Sequence, residues 1–166
     1  MTNSQPTLHF MCGKAGAGKS TVAAKLATAH NAIVLCEDVF LARLFAPEMN
    51  TFDDYLRYSK RLKTVIEPLV VDLLLARQSV VLDFPANTMA LRHWFRSIFE
   101  RANVAHQLHF VDTPDHVCLE RIAQRNRELP EGAHTLTVEQ FNYISSFFEP
   151  PVLAEGFTVQ TCLPGV

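Results

Sequence analysis

No run of apolar residues in this chain approaches the roughly 18 that a membrane span requires. Its four cysteines, Cys12, Cys36, Cys118 and Cys162, have no C-x-x-C spacing, and the first three lie among apolar neighbours. That argues against a zinc site or a disulfide framework and for buried, reduced thiols. Excess charge is missing too: the net charge is −2 and the pI about 6.4, so no overall basic field recruits nucleic acid. Met1–Pro6 lacks the basic and apolar segments of a secretion signal, and a cytoplasmic location is expected. Repeats and low-complexity tracts are absent, and 166 residues suit one domain.

Glycine is scarce as well, with only six, yet Gly13, Gly16 and Gly18 fall within one short stretch. Gly13-Lys14-Ala15-Gly16-Ala17-Gly18-Lys19-Ser20 fits G-x-x-x-x-G-K-[ST], with the strand-like Leu8–Cys12 before it and a helical pattern from Ser20 after it. This reads as a phosphate-binding loop. A triphosphate entering so tight a turn meets backbone amides, and the helix behind it presents its N-terminal dipole. Lys19 is expected to reach the β and γ phosphates and Ser20 to ligate Mg²⁺, with Lys14, Ala15, Ala17 and Thr21 completing the nucleotide contacts.

Apolar strand-like runs alternate with helical patterns, which predicts βα units on a parallel sheet. The expected strands are Leu8–Cys12, Ala32–Cys36, Ser79–Leu82, His106–Val111 and Phe157–Gln160, most of them apolar enough to be covered on both faces. A long helix starts at Thr51 with a capping box to Asp54, and Pro68 is expected to kink or split it. Arg57 and Arg61 stand one turn apart on another face, either as a solvated surface or as a substrate contact. A helix from about Asn87 to Arg101 buries Leu91, Trp94, Phe95, Ile98 and Phe99, with Arg92 and Arg96 off that stripe.

Thr113-Pro114-Asp115 reads as a cap, a first-turn proline and an acid opening a helix to about Asn126, on which Arg121 and Arg125 share a face. Arg127–His134 follows as a polar, mobile loop. Thr137 and Gln140 cap one more helix, which Pro150-Pro151 is expected to stop, and residues from about 126 to 150 suit a lid.

Ligands of open α/β sheets sit at the carboxyl ends of the strands. There, Asp38 is the candidate general base toward an acceptor hydroxyl or a helix cap, with Glu37 the weaker candidate. Val80–Leu82 ending in Asp83 resembles a strand whose carboxylate orients Mg²⁺, directly or through water. Arg125, and Arg121 before it, are placed to neutralise a transferring phosphoryl group. His106 and His109 face opposite sides of their strand, and His9 reads as a satisfied core or edge histidine. No metal beyond nucleotide-bound Mg²⁺ is expected.

With these residues in hand, the chain resembles the P-loop kinase group of polynucleotide 5′-hydroxyl kinases, zeta toxins and chloramphenicol phosphotransferase. It looks closest to the bacterial proteins described as AAA family ATPase, predicted kinase. Glu37-Asp38, Leu82-Asp83-Phe84-Pro85-Ala86-Asn87 and Arg121-x-x-x-Arg125-Asn126 match in placement. The resemblance implies an α/β P-loop NTPase fold with a five-stranded parallel sheet in order 2-3-1-4-5 and a small helical lid. It also implies that Asp38 acts as base, that Arg125 lies in the lid, and that Asp83, Asn87 and Arg92 border the acceptor site. Phe84 stands where mechanical ATPases carry Glu, which argues against a remodelling motor.

The expected function is transfer of a phosphoryl group from MgATP to a hydroxyl of a small molecule. The rival acceptor is a polynucleotide 5′-end, which is not favoured. A nucleotide-dependent switch or a non-catalytic interaction module is the rival class, although the chain contains neither N-K-x-D nor D-x-x-G.

Overall fold

The computed structural model describes residues 5–130 and 134–163. Strands β1 (Thr7–Cys12), β2 (Ile33–Cys36), β3 (Val80–Pro85), β4 (Ala105–Val111) and β5 (Val159–Cys162) form one parallel sheet in the order β2-β3-β1-β4-β5. Helices α1 (Lys19–His30), α2 (Glu37–Phe45), α3 (Phe52–Leu75), α4 (Met89–Ala102), α5 (Asp115–Glu128) and α6 (Val138–Ser145) flank it. None of the described helices is long and apolar enough to cross a membrane.

The two-residue period of β1 divides the core. Leu8, Phe10 and Cys12 face α3 and α4, where Phe10 stacks on Phe95 with centroids 4.6 Å apart, and Met11 packs against Ala23 of α1. Each such fully buried apolar side chain contributes about 1.5–3 kcal/mol.

Several expectations are corrected. Strands β2 and β5 are not covered on both faces; Ile33 and Val34 are about two-fifths exposed, because both strands lie at the edges of the sheet. Strand β5 also begins two residues later than expected, leaving Phe157 to pack edge-on against Phe10. Strand β3 runs on to Pro85, with a register jump from Phe10↔Leu82 to Met11↔Pro85. Pro68 does not split α3, since its ring faces solvent while Leu62, Ile66, Val70, Val71 and Leu74 hold the helix to the core on both sides of it. The capping boxes Thr51/Asp54 and Thr137/Gln140 form as expected, but α6 stops at Ser145, five residues before Pro150.

Arg92 is the largest correction. It is buried rather than solvated, and its guanidinium grips Glu155 through Nε–Oε2 (2.6 Å) and Nη2–Oε1 (2.9 Å) while Nη1 donates to the carbonyls of Ala86 and Glu149. With its donors so committed, Arg92 braces the end of β3 against the segment that returns to β5.

His9 is a core histidine as expected, but only one of its ring nitrogens is satisfied. His9 and His109 are both buried, His9 Nδ1 lies 3.1 Å from His109 Nε2, and His9 Nε2 has no partner. Desolvation, followed by mutual repulsion with the neighbouring histidines, lowers both to about 4. Because the folded values fall below the unfolded one near 6.5, these groups stabilise the protein above that pH and the contribution drains away toward pH 4. Urea titrations are expected to show stability falling by a few kcal/mol across this window, and His9→Leu to flatten the fall. An unchanged slope in the variant would show that other groups govern acid unfolding.

Candidate functional site

Strand β1 ends at Cys12, and the chain turns at once into the loop Gly13–Gly18, from which α1 begins at Lys19. Gly16 (φ 74°) and Gly18 (φ 106°) take left-handed conformations that side chains disfavour. A Cβ on Gly16 would sit 2.5 Å from the Cys118 carbonyl oxygen, so α5 presses directly on the loop. Gly16→Ala is expected to cost about 1–3 kcal/mol from backbone strain alone, measured as a lower denaturation midpoint. An unchanged midpoint would mean that the loop yields without penalty.

The rest of the loop is held by struts from every side. Asn87 Oδ1 accepts from the Gly13 amide (2.9 Å), and both Thr113 Oγ1 and Arg121 Nη1 donate to the Ala17 carbonyl at 2.8 Å. Thr113 is therefore not the cap of α5: Pro114 occupies that position without a side-chain bond. Asp115 in the first turn of α5 pairs with Lys14 at 2.7 Å. Asn87 and Arg121 thus fix the loop's shape, and Thr113 is a strut that the sequence did not reveal.

Lys19 Nζ donates to the carbonyls of Gly13 (2.7 Å) and Lys14 (2.9 Å), which folds its ammonium into the curve of the loop. Desolvation lowers its pKa, opposed by the fields of Asp83 and Asp38. Gly18, the cap of α1, supplies no side-chain bond, and the first turn carries no acid. The helix therefore opens with uncapped amides and an uncompensated dipole, which suits an anion. Ser20 and Thr21 stand exposed in that turn.

Register places the carboxylates. Cys36 pairs with Asp83 across β2 and β3, so α2, starting at Glu37, brings Asp38 beside the Asp83 end of β3. Asp38 is not the helix cap; Cys36 holds that position, and no side-chain cap bond forms. Desolvation in the cleft and the charge of Asp83 raise the Asp38 pKa, while His134, Lys19 and Arg125 pull it down. Asp83, His134, Lys19 and Arg125 thus all lie within electrostatic reach of Asp38. His134 was missed from the sequence, where it was one polar residue in a loop; Glu131, Gly132 and Ala133 of that loop lie outside the described residues. Arg125 is half-buried, and its Nε is buried without a partner. A buried guanidinium nitrogen without a partner suits an anion as its partner.

Glu37 has other work. It is buried, accepts from Tyr55 Oη (2.9 Å) and Ser59 Oγ (2.6 Å), and lies 3.9 Å from Lys63 Nζ. These partners recur every fourth residue on α3, so Glu37 clamps α2 to α3 one residue away from Asp38. Arg57 pairs with Asp54 at 3.0 Å and Arg61 is exposed, so both occupy the solvated face of α3. Cavities of about 270 and 410 Å³ occur elsewhere; the larger is bordered by Lys14, Thr113, Asp115 and Phe148, and neither is lined by Lys19, Asp38 or Asp83.

This sheet order, with a glycine loop turning into α1, defines a P-loop protein of the kinase-like group. The chain belongs to the AAA_33 family, an AAA domain whose model matches residues 8–151. No curated protein matches the chain. Among solved structures, a candidate kinase from Chloroflexus aurantiacus is 18% identical with a TM-score of 0.78, over 96% of this chain and 89% of that one. Kti12 of Chaetomium thermophilum, in complex with ADP-AlF3, is 12% identical with a TM-score of 0.69, over 95% and 89%. The Mycobacterium tuberculosis APS kinase CysC, in complex with AMPPNP and APS, is 20% identical with a TM-score of 0.66, over 98% and 90%. At these identities the likeness is one of fold.

Proposed function

We propose that the chain is an ATP-dependent kinase that moves the γ-phosphate of MgATP to a hydroxyl of a small molecule. What supports this reading is the glycine loop that follows β1, with Lys19 bonded inside its curve and strand register bringing Asp38 beside Asp83 at the carboxyl end of the sheet. Relatives in fold that hold AMPPNP or ADP-AlF3 support nucleotide binding.

Amides of Gly13–Gly18 and the start of α1 cradle the phosphates, with Lys14, Ala15, Ala17 and Thr21 around them and Arg121 bracing the loop. Ser20 and Asp83 supply a hydroxyl and a carboxylate oxygen, donors that suit Mg²⁺. When bound, that ion neutralises charge across the phosphates. Asp38 accepts the proton of the acceptor hydroxyl as its oxygen bonds to the γ-phosphorus and the bond to the departing ADP breaks. Lys19 holds the β and γ oxygens from the loop side, and Arg125 adds charge from α5 as the transition state develops.

Arg125→Ala is expected to reduce kcat far more than MgATP affinity, since its charge counts most in the transition state. Hydrogen exchange across residues 127–136 is expected to slow when MgATP and acceptor bind together. Normal turnover in the variant with unchanged exchange would remove Arg125 and this segment from the mechanism.

A further inference from the structure

Helix α3 has one side that folding does not use. Its inner side fills the core through Leu62, Ile66, Val70 and Leu74. On the outer side Arg61, Thr64, Val65, Pro68, Leu69 and Asp72 recur in steps of three and four residues, and all six are exposed. Val65 is 65% exposed and Leu69 44%, so their apolar surface stays wet in the single chain. Pro68 sits in the middle of this line. It has no N–H to offer the Thr64 carbonyl, so it weakens the helix, and its exposed ring adds nothing to the core.

The line is self-complementary. In an antiparallel pair of α3 helices centred between Ile66 and Glu67, Val65 of each copy faces Pro68 of the other, Thr64 faces Leu69, and Arg61 faces Asp72. Neither Arg61 nor Asp72 has an ion-pair partner among the described residues. The surrounding charges do not oppose this pairing. Arg57, one turn earlier, is held by Asp54 at 3.0 Å, Lys60 points roughly 100° away from Arg61, and Arg77 lies beyond the end of the helix. A parallel pair would instead set Arg61 against Arg61 and Asp72 against Asp72, so charge selects the antiparallel arrangement.

We propose that the chain forms a two-fold symmetric dimer through the outer side of α3, with a second copy of itself as the occupant of that side. An antiparallel pair makes one surface serve both copies, so the assembly closes at two and does not propagate. One helix pair is small for a specific interface, which sets the expected dissociation constant in the micromolar range. Ser59 and Lys63, which hold Glu37, leave α3 away from this line, so pairing leaves the Glu37 clamp untouched. Dimerisation and phosphoryl transfer are therefore separable.

Sedimentation velocity of the full chain, from low micromolar to several hundred micromolar protein, compares the parent with Arg61→Asp, Asp72→Arg and the double variant. The parent is expected to show a reversible monomer–dimer equilibrium. Each single variant is expected to weaken dimerisation by about tenfold or more, because like charges then meet at both ends of the helix pair. The double variant, which exchanges the two charges, is expected to return within about threefold of the parent. Mixed in equal amounts, the two single variants are expected to form a heterodimer, since every Asp then meets an Arg. A parent that stays monomeric throughout overturns the proposal and leaves this side of α3 to another partner or to solvent. A dimer indifferent to either single variant, or one that neither the double variant nor the mixture restores, overturns α3 as its interface. Every altered side chain is exposed, so circular dichroism and nucleotide affinity of all variants are expected to match the parent.

Discussion

Asp38→Asn is expected to lower kcat on the order of 10²–10⁴-fold while MgATP affinity changes little, because the amide keeps the shape of the side chain but accepts no proton. The magnitude follows from general-base catalysis, and the placement from register: Asp83 faces Cys36, so the first turn of α2 brings Asp38 into the cleft. The pH profile carries a second signature. Desolvation and the neighbouring Asp83 raise the Asp38 pKa, and a base works only when deprotonated, so activity is expected to fall as pH drops through a value above the ordinary aspartate range. In Asp38→Asn that acid limb is expected to vanish from the residual activity. A variant with near-parental kcat and the same limb would reassign the base.

Lys19→Ala is expected to abolish most turnover, by about 10²-fold or more, and to weaken MgATP binding. The ammonium lies inside the loop with two carbonyls as its partners, so a phosphate entering there meets a positioned charge. The fold is expected to survive, since the bonds lost are to two carbonyls of the loop itself. Calorimetry that found equal MgATP affinity, together with equal turnover, would contradict the assignment.

The loop was legible in the sequence because its chemistry is local: a strand, glycines, a lysine and a helix in one short stretch. The order of the sheet came from the resemblance, and the alternation of apolar runs with helical periods already implied parallel βα units. What the sequence hid was long-range pairing. Arg92 looked solvated because its spacing set it off the apolar stripe, yet Glu155, 63 residues away, neutralises it in the interior. Thr113 looked like a cap because Thr-Pro-Asp is a helix-start pattern, yet its hydroxyl finds Ala17 across the molecule. Glu37 and Asp38 were adjacent and chemically alike. Only the partners on α3 separate the clamp from the candidate base. His134 carried no local signal at all.

The most direct measurement incubates the protein with γ-labelled ATP, Mg²⁺ and a metabolite extract, and follows label into small molecules beside the Asp38→Asn variant. Expected is a labelled product that gains one phosphoryl group, formed with stoichiometric ADP by the parent and almost not at all by the variant. Label released only as inorganic phosphate, or the same product formed equally by Asp38→Asn, would contradict that expectation.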